Sequence, residues 1–466
     1  MHINQVKTRF APSPTGVLHL GGARTALLNY LFAKQSNGKF YVRIEDTDKE
    51  RSSTQNSQSI IESLQWLELT WDEEIVFQSH NAKKHINIAK HLIDAGHAYY
   101  CFKQQEENTN GSFQSDKIIN PWRDALVHQF PKDKKPTIRL KVPLHGKITL
   151  DDLVQGPITI ENRHLEDVVL VKSNGDPTYM LSVVCDDHDM NISHIIRGDD
   201  HISNTFLQLH IYQAMKWDIP KMAHIPLIHN PDGTKLSKRK GAIDIQEYKN
   251  AGYLPLALCN YIAKLGCGFQ DREIMSIEEM IQLFRIENIN KAAARIDFDK
   301  LKYVNACHIK RYPKDKLVHL ILEHIDNEMV ITHNTEERIH NCYDAVVKRA
   351  VLLTDLVQTT KMYLPEFTPM YSDMAKTLLE KSNITLLENA TFQLKHIKDF
   401  YKPNIENTIK CLAKEHNVKL VSIAMPIRAC LTGITQSPCI FEMMQIIGKL
   451  DTIKRLEQGI AYARKT

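Results

Sequence analysis

His19, Gly21 and Gly22 stand at the end of Pro12-Ser13-Pro14-Thr15-Gly16-Val17-Leu18-His19-Leu20-Gly21-Gly22, where a short apolar stretch gives way to a long helical pattern. Far downstream, Lys235 and Lys238 stand in the polar run Lys235-Leu236-Ser237-Lys238-Arg239. A helix N-terminus exposes unpaired N–H groups and carries about half a positive charge, so the first segment is a ready site for a triphosphate. Glycine lets the backbone approach a nucleotide closely, and histidine can donate to an α-phosphate as negative charge concentrates there in the transition state. No G-x-x-x-x-G-K-[ST] sequence occurs near it, which excludes a Walker loop. The two lysines are point charges suited to a pyrophosphate leaving group. Pro231, Gly233 and Gly241 around them suggest a loop that closes only over bound nucleotide, spending binding energy in the transition state. Either motif alone is weak, since one describes many strand-to-helix turns and the other many solvated charge runs. Together they predict that ATP is split here.

The elements that must position these residues follow from the pattern around them. Val6 to Ala11 reads as a strand, Gly22 to Lys34 as an amphipathic helix closed by Gly38, and Phe40 to Ile44 as a second strand, giving a parallel strand–helix–strand unit. From about 73 to 180 the character changes to helical pieces around His85 to Ala95, a polar stretch through Gln104 to Asp116, and strands at Thr137 to Val142 and Val168 to Val171. Strand-like Ile192 to Ile196 and helical Asn204 to Met215 then resume the first pattern. The nucleotide-binding domain is therefore expected to be discontinuous. From about Lys310 the chain reads as helical, with apolar spacing at Leu317 to Ile325, Ala345 to Leu356, Thr408 to Ala413 and Phe441 to Ala463.

Composition sets the outer bounds. The 466 residues, 43% hydrophobic and 24% charged, suffice for several cores. No stretch approaches the roughly 18 apolar residues of a membrane span, and Met1 to Lys7 lacks the apolar core of a secretion signal, so a cytoplasmic location is expected. The nine cysteines show no Cys-x-x-Cys pair and no His at metal-ligand spacing, and are expected to be reduced. A net charge of +4 permits a polyanionic partner without requiring one.

Pro12 to Gly22 followed by Arg24-Thr25-Ala26-Leu27, then Arg43-Ile44-Glu45-Asp46-Thr47-Asp48, Asp186-Asp187-His188, Ile196-Arg197-Gly198-Asp199-Asp200-His201 and Lys235 to Arg239 closely resemble bacterial glutamyl-tRNA synthetases, essentially from end to end. The resemblance implies a class I aminoacyl-tRNA synthetase: an α/β Rossmann-like catalytic domain (1–72 and 181–239), an inserted α+β domain for the tRNA acceptor end (73–180), a stem-contact domain (240–312) and an all-α anticodon-binding region (313–466) divided near 372. It implies ATP as substrate with Mg²⁺, L-glutamate and tRNA for glutamate as partners, a monomer, and no membrane. His19, Lys235 and Lys238 would be catalytic, with Gly21, Gly22 and Ser237 completing the ATP site. It also implies that tRNA binds before glutamate is activated.

Glutamate carries one ammonium and two carboxylates, so its pocket needs an acid and at least two cationic partners. Arg9, Arg197 and Glu45 meet that need, and all three fall at the predicted C-terminal ends of strands or in the adjoining turns, where open α/β sheets collect ligands. By resemblance, Ser13 and Glu45 would hold the amino group and Arg9, Tyr179 and Arg197 the carboxylates. Which arginine takes which carboxylate stays open. Asp46, Asp48, Asp186, Asp187, Asp199 and Asp200 are possible Mg²⁺ ligands, but helix capping and pairing with arginine explain such residues equally well, and none is assigned. Asp200 is the one to test.

Relatives often carry a zinc cluster in the acceptor-binding insertion. Here Tyr99 to Lys103 offers one cysteine, Cys101, and the next is Cys185, so zinc is not expected. Lys348, Arg349, Lys361 and Tyr363 are candidates for tRNA contact. Some discriminating relatives place an arginine near the helix reading the last anticodon base. Val357-Gln358 falls there, with no arginine between Leu352 and Lys361. A form that also charges tRNA for glutamine with glutamate is thereby left open. Outside that class, a tRNA-binding paralogue without activity is opposed by the intact His19, Glu45, Arg197, Lys235 and Lys238.

Overall fold

A computed structural model of the chain describes residues 5–48, 52–102, 120–131, 133–234, 244–326 and 333–465. It divides into two compact units, 1–250 with 255–304 and 251–254 with 305–466.

The first unit opens with β1 (Lys7–Phe10), α1 (Leu20–Gln35), β2 (Lys39–Ile44), α2 (Thr54–Trp66) and β3 (Val76–Phe77), the three strands parallel in the order β1-β2-β3. There follow α3 (Ala82–Asp94), β4 (Ala98–Cys101), β5 (Thr137–Leu140), β6 (Lys147–Asp152), β7 (Gly156–Glu161) and β8 (Val169–Val171), then α4 (Tyr179–Asp189), β9 (His194–Gly198), α5 (Ile202–Met215) and β10 (Lys221–Ile225). Strand β9 lies beside β1: Ser193 N–H donates to the Lys7 carbonyl at 3.0 Å, and Lys7 N–H to Ser193 Oγ at 2.8 Å. The strands thus run β3-β2-β1-β9-β10-β6-β7. Chain order reverses between β1 and β9, the switch point at which open α/β sheets bind ligands outside the strand ends.

Helix α1 fills the space behind that switch point. It is buried nearly all round, from Leu20 and Ala23 to Leu31 and Ala33, rather than amphipathic, because the sheet covers one side and α7 (described below) another. Asn29 Nδ2 bonds the Ile196 carbonyl at 2.9 Å, and Thr8 Oγ1 bonds the Asn29 carbonyl at 2.9 Å, pinning the helix across β1 and β9. The expected stop at Gly38 is made instead by Asn37, which takes the left-handed φ of 49°. Gly38 serves close packing, since a Cβ there would lie 2.2 Å from the Val6 carbonyl oxygen.

The hairpin β6–β7 falls within the segment expected as an insertion, yet it pairs with β10. Strands β4, β5 and β8 form a separate antiparallel sheet. Beside it, Phe102, Trp122 and Phe130 pack ring on ring at 5.0–6.4 Å, Arg123 pairs with the buried Asp167, and Asn120 Nδ2 donates to Cys101 Sγ at 3.2 Å. Beyond β10 come β11 (Ile228–His229), α6 (Ile245–Ala251), α7 (Pro255–Lys264), α8 (Ile277–Leu283), β12 (Ala294–Arg295) and α9 (Phe298–Arg311), with β11 parallel to β12.

The remaining chain is helical in its described residues: α10 (Lys314–Asp326), α11 (His333–Val347), α12 (Leu353–Lys361), α13 (Asp373–Lys376), α14 (Ile384–His396), α15 (Lys402–Glu415), α16 (Leu420–Thr432) and α17 (Ile440–Lys465). Two expected helices are broken. Residues 348–352 turn between α11 and α12, and Gly448 interrupts α17 at φ 84°, ψ 167°, a conformation open essentially to glycine alone. Arg455 is buried here, donating to the carbonyls of Met362 (2.6 Å), Leu431 (3.2 Å) and Leu364 (2.7 Å). Tyr363 is fully buried and Lys361 nearly so, which removes both from the surface proposed to meet tRNA. Arg349 stays exposed, with its Nη1 donating to the Ser437 carbonyl at 2.8 Å. Among the described residues, no helix is long and apolar enough to cross a membrane.

Candidate active site

A cavity of about 570 Å³ opens at the switch point, and Arg9, Ser13, His19, Gly21, Gly22, Glu45, Tyr179 and Arg197 all line it. Arg9 is in β1, Arg197 in β9, and Glu45 directly follows β2, so three strand ends present two guanidiniums and one carboxylate. Lys235, Ser237 and Lys238 fall outside the described residues. The chain on either side is anchored: Ile296 N–H donates to the His229 carbonyl at 3.0 Å, and Ile245 N–H to the Leu18 carbonyl at 3.0 Å.

His19 is the N-cap of α1, and its Nδ1 accepts from the Gly22 N–H at 3.3 Å. A ring nitrogen that accepts carries no proton, so the neutral imidazole holds its proton on Nε2, as a donor. A Cβ on Gly21 would stand 3.2 Å from the His19 ring, so glycine here leaves the imidazole its place. The N–H groups of the helix start and the Nε2 proton suit a phosphate.

Behind the cavity four charged side chains alternate. Asp187 accepts from Arg9 Nε (3.0 Å) and Nη2 (3.3 Å) and from Arg43 Nη1 (2.6 Å), while Arg43 Nη2 donates to Glu45 at 3.0 Å. Burial would raise the Asp187 pKa, but the charges of Arg43 and Arg9 bring it below the usual carboxylate range. For Glu45 burial prevails and raises the carboxyl, against the pull of Arg43 and Arg9. An ammonium arriving beside Glu45 adds to that pull.

Arg197 is held differently. Its Nε donates to His224 Nε2 (3.2 Å), its Nη1 to Tyr179 Oη (3.2 Å), and its Nη2 to Thr205 Oγ1 (2.6 Å) and Gln208 Oε1 (2.7 Å). Tyr179 Oη lies 3.2 Å from His201 Nδ1. Burial, with the Arg197 charge adding to it, pushes His201 down to about 4, which leaves the ring neutral at neutral pH, and the Asn204 Nδ2 donor 3.4 Å from Nδ1 suits an accepting Nδ1.

The aspartates divide. Asp186 is occupied by Gln78, Asn81 and His85, Asp46 by the Ser79 backbone and hydroxyl, and Asp187 by the two arginines. Asp48 and Asp200 line the cavity. The described residues contain no group of three His, Cys, Asp or Glu side chains placed to hold a metal ion. Sequence reading quoted Arg43 and His201 within motifs but gave them no role, and passed over Thr205, Gln208, His224 and Asp152. Arg43 had a signal, since two residues before Glu45 it shares a strand face with it. Asp152 had none, because its partner His224 comes from a distant strand.

A largely parallel sheet with a phosphate-suited helix start and a charged cavity at its switch point is the architecture of a nucleotide-dependent α/β enzyme. Residues 5–303 match the family model for the catalytic domain of class I tRNA synthetases (E and Q), and residues 316–460 that of an anticodon binding domain. Glutamate–tRNA ligase 2 of Rickettsia bellii is 43% identical over 97% of this chain and 99% of its own. Glutamate–tRNA ligase 1 of Orientia tsutsugamushi is 43% identical, covering 97% of each. The crystal structure of a glutamate tRNA ligase from Elizabethkingia meningosepticum, in complex with its amino acid, superposes with a TM-score of 0.82 at 29% identity, over 98% of this chain and 99% of that one. The chain belongs to the class I aminoacyl-tRNA synthetases of the glutamate and glutamine group.

Proposed function

We propose that the protein is a glutamate–tRNA ligase: the α-carboxylate of L-glutamate attacks the α-phosphate of ATP, pyrophosphate leaves, and the terminal ribose hydroxyl of tRNA for glutamate displaces AMP. The observation that carries this is the meeting of Arg9, Glu45, Tyr179 and Arg197 with His19, Gly21 and Gly22 in one cavity. In this reading Glu45 and Ser13 take the ammonium, and Arg9, Tyr179 and Arg197 take the carboxylates. His19 and the helix start, with Lys235, Ser237 and Lys238, take the phosphates. Approximation and charge stabilisation then suffice without a protein nucleophile. Mg²⁺ enters with ATP as part of the substrate, and no protein ligand is assigned to it. Glutamine is rejected because its amide NH₂ would face guanidiniums that can only donate, at a cost of several kcal/mol.

A relaxed specificity toward tRNA for glutamine is supported by α12, where Gln358 is exposed, Val357 is buried and no arginine occurs. The family resemblance adds a monomer working in the cytoplasm. ATP-dependent charging of radiolabelled glutamate onto purified tRNA for glutamate, and in parallel onto tRNA for glutamine, tests both readings. Charging of the first alone leaves a discriminating ligase, charging of both gives the relaxed form, and charging of neither overturns the ligase reading.

A further inference from the structure

Arg197 is buried to 6% exposure, yet among the described residues no acid forms an ion pair with it. Its four partners are an imidazole, a phenol, a hydroxyl and an amide oxygen, all neutral, and one Nη1 proton is left over. Arg9 differs, since Asp187 takes its Nε and Nη2 directly. Arg197 is thus fixed by hydrogen bonds to neutral groups, with no carboxylate in direct contact among the described residues.

Asp152 reaches Arg197 only through a ring. Asp152, at the end of β6, lies with Oδ2 2.6 Å from His224 Nδ1, and neither side chain is exposed. Its Oδ1 accepts from the backbone N–H of Val154 (2.9 Å) and Gln155 (2.8 Å), so the carboxylate is aimed by its own turn. Burial would raise the Asp152 pKa, but the bonds from His224 and Gln155 bring it below the usual range. His224 is pushed down by burial, so the ring is neutral at pH 7. A neutral imidazole that donates from Nδ1 has a lone pair on Nε2, and that lone pair faces Arg197 Nε.

We infer that Asp152 and His224 are positioning residues for the amino-acid site: Asp152 fixes the tautomer of His224, and His224 holds the Arg197 guanidinium in register while keeping the carboxylate charge one ring away. Direct contact with Asp152 would neutralise the cation; through the imidazole it stays available to a carboxylate of the substrate. The inference rests on the glutamate ligase reading above.

The test is charging kinetics of the full chain with Asp152→Asn, His224→Leu and His224→Gln. The amide introduced by Asp152→Asn keeps an oxygen for Val154 and Gln155 but turns its NH₂ toward His224, which moves the ring proton to Nε2 and sets two donors face to face at Arg197. The expected result is a KM for glutamate raised tenfold or more in Asp152→Asn and His224→Leu, with the KM for ATP within twofold. His224→Gln, whose carbonyl can accept from Arg197 Nε, should recover most of the glutamate KM. Nitrogen-15 spectra should place the His224 proton on Nδ1 in the wild type and on Nε2 in Asp152→Asn. An unchanged glutamate KM overturns the inference, as does a parallel loss of both KM values and kcat with no recovery in His224→Gln. A wild-type chain that charges no tRNA with glutamate overturns the ligase reading itself, which the wild-type control separates from failure of the positioning role.

Discussion

The Asp187 carboxylate lies 2.6 Å from the Arg43 guanidinium, with neither side chain in contact with solvent. One carboxylate thereby serves two buried cations, because Arg9 bonds it as well. Removing one partner from such a set strands the others without compensation, at about 3–5 kcal/mol. Asp187→Ala is therefore expected to lower the calorimetric unfolding midpoint of the first unit by several degrees and to raise the KM for glutamate through Arg9. An unaltered midpoint would refute the dependence.

In the proposed reaction the His19 imidazole donates to developing phosphate charge. His19→Ala should slow ATP–pyrophosphate exchange, measured with tRNA and glutamate present, by roughly tenfold to a thousandfold. Lys238→Ala is expected to fall in the same range. Gly21→Ala places a methyl 3.2 Å from the His19 ring and should give a smaller loss of the same kind. Full exchange rates in His19→Ala and Lys238→Ala would take both motifs out of catalysis.

Acid should loosen the first unit through His201. Unfolded, this histidine takes its proton at 6.5; folded, burial delays that to about 4. Between those values the unfolded chain binds more protons, so stability falls as pH drops from 6.5 toward 4. His194, also held at about 4 by burial, acts in the same sense. His201→Gln is expected to keep more of its neutral-pH stability at pH 5 than the wild type does, as read from denaturant midpoints at the two pH values. Equal losses would sink the assignment.

Tyr363 has a buried hydroxyl without a hydrogen-bond partner among the described residues. Such a group costs stability when desolvated, so Tyr363→Phe should be neutral or stabilising by about 1 kcal/mol. Because the ring is inside the core, tRNA affinity measured by filter binding should not move. A weakened complex would return Tyr363 to the tRNA surface.

The parts legible in the sequence were those whose signal is local. β1, α1 and β2 follow from apolar spacing, and Arg9, Glu45 and Arg197 fall at strand ends because each strand is bounded by its own turn residues. The paired Gly21 and Gly22 mark the helix start for the same reason. What stayed hidden depends on partners far away in the chain. Nothing in β6 says that it joins β10, so neither the hairpin nor Asp152 could be placed behind Arg197. Tyr363 resembles a stacking residue until its core is seen, and Gly448 breaks a helix whose apolar spacing runs on without interruption.

The adjacency of β1 and β9 has a temporal side. About 180 residues separate the two strands, and β10 comes later still. At 5–20 residues per second the ribosome needs roughly ten to forty seconds to supply β9 once β1 has been made. Throughout that interval one edge of β1 and the flank of α1 that rests on β9 have nothing to cover them. The nascent chain must therefore carry an open, apolar half-sheet for longer than most domains take to fold, which makes the N-terminal half the stretch where a chaperone or a slow codon would matter most.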